Sequence, residues 1–213
     1  MKHKILVATT NPGKLKELSE MLADLAGRIA WLSLRDFSEV PEVEEDGATF
    51  ADNARKKAIG YAAATGLWTL ADDSGLVIDA LDGAPGVLSA RFAAEECSAG
   101  DRKTIDRANY EKALRLLSNV PDKQRTARFV CHLCLAGPDE IQLEVTGSVE
   151  GVITRAPIGE SGFGYDPVFY IPALGKTAAQ LDPDEKNRIS HRGRAIAALL
   201  PRLATLLSGV GDC

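Results

Sequence analysis

The sequence predicts an α/β fold in which a twisted mixed β-sheet is flanked by helices. Three observations support this fold class. β-rich runs alternate with segments of helical period from residue 4 to residue 79, and two long alternating runs follow between residues 125 and 156. The chain has 213 residues, of which 45% are hydrophobic, so it can bury a substantial core. Because no repeat or low-complexity linker is present, we expect one domain over residues 1–213.

The chain opens with a strand, a helix and a second strand. "KILVATT" (4–10) is β-rich, "NPGKLKELSEMLADLAG" (11–27) has helical period with leucines on one face, and "RIAWLSL" (28–34) is again β-rich. We expect Asn11 to cap the helix and Gly27 to end it.

An acidic segment precedes the second helix. "DFSEVPEVEEDGA" (36–48) is turn-prone and predicts an exposed loop, whereas "TFADNARKKAIGYAAATG" (49–66) predicts a helix with Thr49 as its cap and Gly66 as its stop.

The next strand, "LWTLADDSGLVID" (67–79), carries two adjacent carboxylates. We expect Ser74 and Gly75 to form a turn directly after Asp72 and Asp73. In one interpretation the aspartates only cap that turn. In the other, one binds a metal while its neighbour orients or deprotonates water. Both interpretations stay open at this point.

The second half continues with loops, helices and strands. In order we predict a Gly/Pro-rich loop (83–93), a helix (101–120) and two long antiparallel strands (125–137, 140–156). A glycine-rich loop that runs into an apolar run (158–172) follows, and then a short and a longer helix (182–209), the latter bent at Pro201. The motif "CHLC" lies in a strand, which directs Cys131 and Cys134 to opposite faces and disfavours a zinc site.

Charge and composition exclude several classes of protein. The net charge is −5, so the chain lacks the basic field of a protein that binds nucleic acid as a polymer. No signal peptide or membrane span is expected, and four cysteines in 213 residues suit a reducing, cytoplasmic compartment.

Two segments of the first third suit a triphosphate and its metal. "TTNPGK" (9–14) is a strand-to-helix turn whose N–H groups and Lys14 can hold a phosphate, although an ordinary capped turn explains the same residues. Lys57 lies on one helical face with Thr49 and Asn53, and the carboxylates before the helix and at the end of the next strand can converge on it. Such oxygens suit Mg²⁺.

Two segments of the last third suit a base. "SGFGYDPVF" (161–169) can stack an aromatic side chain on a base, or can be a tight turn with core aromatics. In "EKNRISHRGRA" (185–195), Ser190 is a good N-cap that places His191 and Arg192 in the first helical turn, near Lys186. Cations there oppose the helix dipole and suit a bound anion or base carbonyl, whereas solvated surface charge is the alternative.

Together these segments resemble the inosine and xanthosine triphosphate pyrophosphatase family, from residue 4 to about residue 207. The resemblance rests on the order of seven blocks: "TTNPGK", "EEDGATFADNARKKA", "ADDSGL", "GAPGVLSARF", "SGFGYDPVF", "GKTAAQL" and "EKNRISHRGRA". It implies a long twisted mixed sheet with two lobes and a central active-site cleft, usually in a homodimer. It also implies Mg²⁺-dependent hydrolysis of dITP, ITP and XTP to the monophosphate and pyrophosphate, which removes deaminated purines from the nucleotide pool.

The same resemblance assigns site residues. It implies Glu45 and Asp73 as metal ligands, and Asp73, Asp72 and Lys57 as the catalytic group, with Asp73 accepting a proton. The implied substrate-binding residues are Thr9, Thr10, Asn11, Pro12, Gly13, Lys14, Ser74, Phe163, Gly164, Tyr165, Asp166, Lys186, His191 and Arg192. Two departures matter: Thr10 stands where the family often has glycine, and Glu44 beside Glu45 leaves two candidates for one metal ligand.

Two rival functions keep the same pocket. A nucleotide-binding sensor would bind the substrate without turnover, and a triphosphatase would release orthophosphate instead of pyrophosphate. We expect no nucleic-acid or membrane partner in any of these cases.

Overall fold

The computed structural model describes residues 2–37, 39–97 and 99–209. Met1, Ser38, Ser98 and residues 210–213 lie outside it. The predicted acidic loop is therefore described except at Ser38, and the predicted domain is described except at these positions.

Within the described residues, seven strands form one sheet in the order β2-β1-β3-β4-β5-β6-β7. The strands are β1 His3–Ala8, β2 Ile29–Ser33, β3 Trp68–Ile78, β4 Thr126–Ala136, β5 Ile141–Ile153, β6 Phe169–Ile171 and β7 Lys176–Thr177. Strand β1 is parallel to β2 and β3, whereas β6 is antiparallel to β5 and β7. The sheet is thus mixed, and with its helices it confirms the predicted α/β class.

The helices of the described residues are α1 Pro12–Met21, α2 Phe50–Thr65, α3 Arg102–Leu116, α4 Pro183–Ile189 and α5 His191–Gly209. Two predicted helices are shorter than expected, at 12–21 and 102–116. In the first, the chain tightens after Met21 into a 3-10 turn at Ala23–Leu25, which keeps Leu25 packed on the core. None of these helices combines the length and the apolarity needed to cross a bilayer.

Three predicted helix ends of the first third are confirmed, at Asn11, Thr49 and Gly66, whereas the prediction that Gly27 ends the first helix is wrong because α1 stops at Met21. The side-chain oxygen of Asn11 accepts hydrogen bonds from the N–H groups of Gly13 and Lys14, at 2.9 and 3.3 Å. Thr49 caps α2 through a reciprocal pair of bonds with Asp52, and Gly66 ends the helix in the left-handed conformation at φ 68°.

The predicted turn at Ser74 and Gly75 is wrong, because β3 runs without interruption from Trp68 to Ile78. The glycine serves close packing instead. A Cβ at position 75 would lie 2.3 Å from Ser89 Oγ and 2.7 Å from the carbonyl oxygen of Gly86. Ser89 Oγ accepts a hydrogen bond from the Leu76 N–H at 2.9 Å, so a 3-10 segment packs directly on the strand where a side chain would otherwise stand.

We expect Gly75→Ala to lower the free energy of unfolding by about 1–3 kcal/mol, because the new methyl group collides with backbone as well as with a side chain. Gly27→Ala is the matched control, since its Cβ would meet nothing within 4 Å. Urea denaturation of both variants checks this. Equal stability of the two variants would contradict the packing argument.

The chain divides into two compact units. Unit 1 comprises Met1–Asp73, Cys131–Gly147 and Arg192–Cys213. Its core has two apolar clusters, one containing Cys131 and one containing Cys134, which confirms that the two thiols point to opposite faces of β4.

Unit 2 comprises Ser74–Val130 and Ser148–His191. One apolar cluster forms its core, and Phe129 and Phe169 contact each other there with ring centroids 4.5 Å apart. Tyr165 belongs to the same cluster.

Candidate active site

Asp72 is the centre of a buried ion-pair network in unit 1. Its side chain is 0% exposed, and its Oδ1 contacts the Lys14 ammonium. Its Oδ2 accepts hydrogen bonds from Arg192 Nε at 3.1 Å and from the Cys131 thiol at 3.0 Å. Burial alone would raise the pKa of this carboxyl, but Arg192 and Lys14 hold it well below its ordinary value. Asp72 therefore stays ionised.

Arg192 extends this network to α1. The residue is 1% exposed, and besides Asp72 its guanidinium contacts the Glu17 carboxylate. Burial would lower the pKa of Arg192, but Asp72, Cys131 and Glu17 raise it. Lys14 and Arg192 are thus balanced by two carboxylates, which is how buried charges are tolerated.

Lys57 on α2 gathers a second set of oxygens. It is 7% exposed, and its Nζ donates to the backbone carbonyl of Asp72 at 2.7 Å and to Glu45 Oε2 at 3.1 Å. Asp73 Oδ1 lies 3.5 Å from the same nitrogen. Burial would lower the pKa of Lys57, but Asp73, Glu45 and Asp72 together raise it. The ammonium is therefore charged and oriented.

Asp73 lies next to Asp72 but in an opposite environment. It is 6% exposed and accepts a hydrogen bond from Asn53 Nδ2 at 3.1 Å. Burial raises its pKa, and the carboxylates of Glu45 and Asp72 reinforce this against Lys57 and Lys14. Adjacent strand residues point to opposite faces, so one aspartate contacts the Lys14–Arg192 network and the other contacts α2. Carboxyls whose pKa values are driven apart are a mark of acid–base sites.

A divalent cation fits the second set of oxygens. Glu45 and Asp73 converge on a single ammonium, so their carboxylates already surround one positive charge. Asp72 is fully engaged and offers no exposed oxygen. Among the described residues no three His, Cys, Asp or Glu side chains gather as a closed cage. Two carboxylates completed by substrate oxygens and water are the usual environment of Mg²⁺.

The predicted phosphate turn is a capped turn in this structure. The Asn11 N–H donates to Thr9 Oγ1 at 3.2 Å, while the Asn11 side chain already accepts the N–H groups of Gly13 and Lys14. Lys14 is oriented by Asp72. The N–H groups of Gly13 and Lys14 are already bound, so the Lys14 ammonium is the group of this turn best suited to bind an anion. Thr10 is exposed and Pro12 is the first residue of α1.

In unit 2, Asp166 and Lys186 organise the glycine-rich loop. Asp166 Oδ2 accepts the Phe163 N–H at 2.8 Å and Lys186 Nζ at 2.7 Å, and the same ammonium lies 4.8 Å from the centre of the Phe163 ring. Gly162 has φ +80°, and a Cβ there would lie 2.1 Å from Asp166 Oδ2. The structure brings together these predicted base-site residues and leaves the Phe163 ring half-buried.

Tyr165 is a core residue rather than a stacking surface. It is buried, and its hydroxyl donates to the carbonyl of Ser89 at 2.9 Å. Burial raises its pKa well above the ordinary value. The core-aromatic interpretation therefore describes Tyr165, whereas Gly164 and Phe163 remain accessible on the loop. Ser74 is half-buried on β3.

His191 stacks on Phe129, with ring centroids 4.8 Å apart and planes inclined by 16°. Both rings line a small pocket with a cavity volume of about 10 Å³, roughly the space of one water molecule. The pocket is otherwise mostly apolar, with Asp166, Lys186 and Ser190 as polar lining residues. At this volume the pocket does not hold a purine ring, so only its aromatic and polar lining bears on base binding.

Sequence reasoning missed four residues of these networks. They are Glu17, Cys131, Phe129 and Asp106 on α3, whose Oδ2 accepts the Gly164 N–H of the glycine-rich loop at 2.8 Å. Each lies at an ordinary core or helix-face position, so its sequence position gives no sign of its partner. Only the alternation of β4 indicated that Phe129 and Cys131 share a face of the strand.

A family model, curated relatives and a solved structure each match nearly the whole chain. The model of the Ham1 family matches residues 5–202. A dITP/XTP pyrophosphatase of an Exiguobacterium species is 50% identical over 206 residues, which cover 97% of this chain and 100% of the relative. The protein of the same name from Desulforamulus reducens is 52% identical over 193 residues, covering 91% and 92%. The solved structure of a HAM1 protein from Coxiella burnetii superposes with a TM-score of 0.84 at 43% identity, covering 95% of this chain and 99% of that one.

Proposed function

The chain belongs to the Ham1 family, and on that premise we propose that it hydrolyses dITP, ITP and XTP to the nucleoside monophosphate and pyrophosphate. The enzyme is a hydrolase that acts on an acid anhydride. One observation in the molecule carries the proposal: of two adjacent buried aspartates, Asp72 is enclosed by Lys14 and Arg192, whereas Asp73 shares the Lys57 ammonium with Glu45. This is the arrangement that activation of water beside a phosphate chain requires.

In the proposed mechanism Asp73 accepts the proton of the water that attacks the α-phosphorus. Asn53 Nδ2 donates to Asp73 Oδ2 at 3.1 Å and thereby fixes the orientation of the carboxylate. Lys57 and Lys14 offset the charge of the phosphates. When bound, Mg²⁺ held by Glu45 and Asp73 adds positive charge at the phosphate oxygens. Asp72 has no exposed oxygen, so we assign it a positioning role for Lys14 and Arg192.

In unit 2 we propose that the loop from Phe163 to Asp166, with Lys186 and His191, binds the base. A donor such as Lys186 or His191 suits the 6-oxo group that hypoxanthine and xanthine share. Adenine carries an amino group there and leaves that donor unpaired, a penalty that supports large discrimination. Guanine keeps the 6-oxo group, so its rejection depends on contacts at its 2-amino group.

Product analysis tests the function. The purified protein is given dITP, dGTP or dATP, with and without Mg²⁺, and pyrophosphate and orthophosphate are measured separately. We expect pyrophosphate from dITP only when Mg²⁺ is present, and little product from dGTP or dATP. Orthophosphate would move the cleavage to the outer phosphates, and binding of dITP without any product would make the protein a sensor.

The two neighbouring glutamates give a matched test of the metal site. Glu45 reaches Lys57, whereas Glu44 is exposed. We expect Glu45→Gln to raise the Mg²⁺ concentration for half-maximal activity by at least about 10-fold, because mutations at a metal site weaken metal affinity by this factor or more. Glu44→Gln should leave that concentration near the wild-type value. A larger effect of Glu44→Gln would exchange the two assignments. Calorimetric titration with Mn²⁺ in place of Mg²⁺, without nucleotide, compares the metal affinity of the two variants independently of turnover.

The proposal includes a cellular role. We propose that the enzyme works on the cytoplasmic nucleotide pool as a homodimer, removing deaminated purines before they enter DNA or RNA. The described cysteines Cys97, Cys131 and Cys134 are free thiols, which suits a reducing compartment. Sedimentation velocity measures the oligomeric state.

A further inference from the structure

Helix α3 carries a buried carboxylate that the proposed mechanism does not use. Asp106 is 6% exposed, and its Oδ2 accepts a hydrogen bond from the Gly164 N–H at 2.8 Å. Arg102, one turn earlier on the helix, places its Nε 3.0 Å from Oδ1. Burial raises the pKa of Asp106, opposed by the Gly164 N–H and by Arg102. Burying a carboxylate is costly, so its contact with a loop amide calls for a physical reason.

The same face of α3 holds a second segment of unit 2. Asn109, three residues after Asp106, accepts the Ala93 N–H at 2.8 Å and donates to the Ala90 carbonyl at 3.2 Å. Lys112, three residues further on, donates to the Phe92 carbonyl at 2.7 Å. Residues at this spacing share one helix face. The polar side chains of this face therefore bind backbone groups of unit 2 instead of pointing into solvent.

The two anchored segments also contact each other. Tyr165 donates a hydrogen bond to the carbonyl of Ser89 in the 3-10 segment Gly86–Arg91. Ser89 directly precedes Ala90, whose carbonyl Asn109 binds. The loop is thus tied to α3 through Gly164 directly and to the neighbouring segment through Tyr165. Asp166 accepts the N–H of Phe163 and Asp106 accepts the N–H of Gly164, so the backbone is held on both sides of the Phe163 side chain.

Glycines make this loop dependent on its anchors. Gly162 and Gly164 have φ values of +80° and +62°, in the left-handed region. Glycine enters this region without strain but loses more conformational freedom on folding than any other residue. A charged acceptor forms stronger hydrogen bonds to N–H groups than a neutral one, so a buried carboxylate is an effective anchor for such a backbone.

We propose that Asp106 is a positioning residue that fixes the Phe163–Tyr165 loop and thereby sets how selectively the site accepts a 6-oxopurine. This inference rests on the proposed function, since it names a determinant of the base site. Asp106 does not touch the base; it acts through the Gly164 amide. Loss of the bond leaves the loop flexible, and the Phe163 ring then no longer has one position against the base.

Substitution of Asp106 tests the inference with four variants. Asp106→Ala removes the acceptor, Asp106→Glu keeps the charge but moves the oxygens by one methylene group, and Asp106→Asn keeps an oxygen of nearly the same position. Arg102→Gln is the matched control, since it removes the ion pair and leaves the Gly164 bond. Circular dichroism and thermal unfolding establish that each variant is folded.

We expect Asp106→Ala to raise KM for dITP and to reduce the ratio of kcat/KM for dITP over dGTP by roughly 10-fold, since small misplacements of a binding group have effects of this size. The kcat at saturating dITP should change far less. Asp106→Glu should shift KM in the same direction, and Asp106→Asn, which keeps only a neutral acceptor, should fall between the wild type and Asp106→Ala. Arg102→Gln should stay near the wild-type values. Unchanged KM and unchanged selectivity in Asp106→Ala and Asp106→Glu would overturn the inference.

A readout without nucleotide separates the two proposals. Hydrogen exchange of the Gly164 amide should accelerate most in Asp106→Ala and less in Asp106→Asn, which keeps a neutral acceptor. If the wild-type protein releases no pyrophosphate from dITP, the proposed function fails while this exchange measurement still tests the anchor. If the wild-type protein is active and the exchange of Gly164 is the same in all variants, the function stands and the positioning role fails.

Discussion

Asp73→Asn should lower kcat for dITP by about 100- to 1000-fold or more, because the amide cannot accept the proton of the attacking water. Nucleotide binding should be largely kept, since Lys14, Lys57 and the loop in unit 2 remain. Rapid-quench measurement of pyrophosphate gives kcat, and calorimetric titration with dITP gives the binding constant. A near-normal kcat in this variant would remove Asp73 from the mechanism.

The same substitution should not destabilise the fold. The pKa of Asp73 is raised in the folded protein, so the ionised carboxylate costs stability at every pH above its folded pKa, and this cost vanishes as the pH falls below the ordinary value of 3.8. Asparagine carries no such cost. Thermal unfolding at pH 8 should therefore give Asp73→Asn a midpoint no lower than that of the wild type, which distinguishes loss of chemistry from loss of structure.

Asp72→Asn should show the opposite phenotype, with a loss of about 3–5 kcal/mol in the free energy of unfolding. Asp72 is the shared partner of Lys14 and Arg192, and its neutralisation leaves the half-buried Lys14 and the fully buried Arg192 with less negative charge nearby, Glu17 remaining in contact with Arg192. Urea denaturation at pH 7 measures the loss. Activity should fall as well, because Lys14 and Arg192 lose their orientation.

The pH dependence of stability provides the control for Asp72. Its pKa is lowered in the folded protein, so its contribution is complete above the ordinary value of 3.8 and is lost as the pH falls through the folded pKa. The difference in stability between the wild type and Asp72→Asn should thus be large at pH 7 and shrink progressively below pH 3.8. A difference that does not change between pH 7 and pH 2 would contradict a role for the carboxylate charge.

Much of the fold could be predicted from local signals. Asn11, Thr49 and Gly66 mark helix ends through chemistry that lies within a few residues of each cap, so no distant partner is needed to identify them. The same local reasoning failed at Ser74 and Gly75, because a Ser-Gly pair has the composition of a turn. Whether it turns depends on Ser89, which lies 14 residues later and packs on the glycine.

The sequence also determined some features of the candidate site and left others open. The sequence by itself determined which residue types are present and their order, and through the family blocks it indicated a triphosphate, a metal and a base. It also placed Asp72 and Asp73 side by side on a strand. It could not assign their roles, because both are aspartates with the same intrinsic pKa.

Only the tertiary structure decided between them. It buries Asp72 against Lys14, Arg192 and Cys131, the last two being 120 and 59 residues away, and the added positive charge keeps its pKa low. It places Asp73 against α2, where burial and the neighbouring carboxylates raise its pKa. A protonation equilibrium depends on every charge and every desolvated surface near the group, and these are brought together by folding rather than by sequence order.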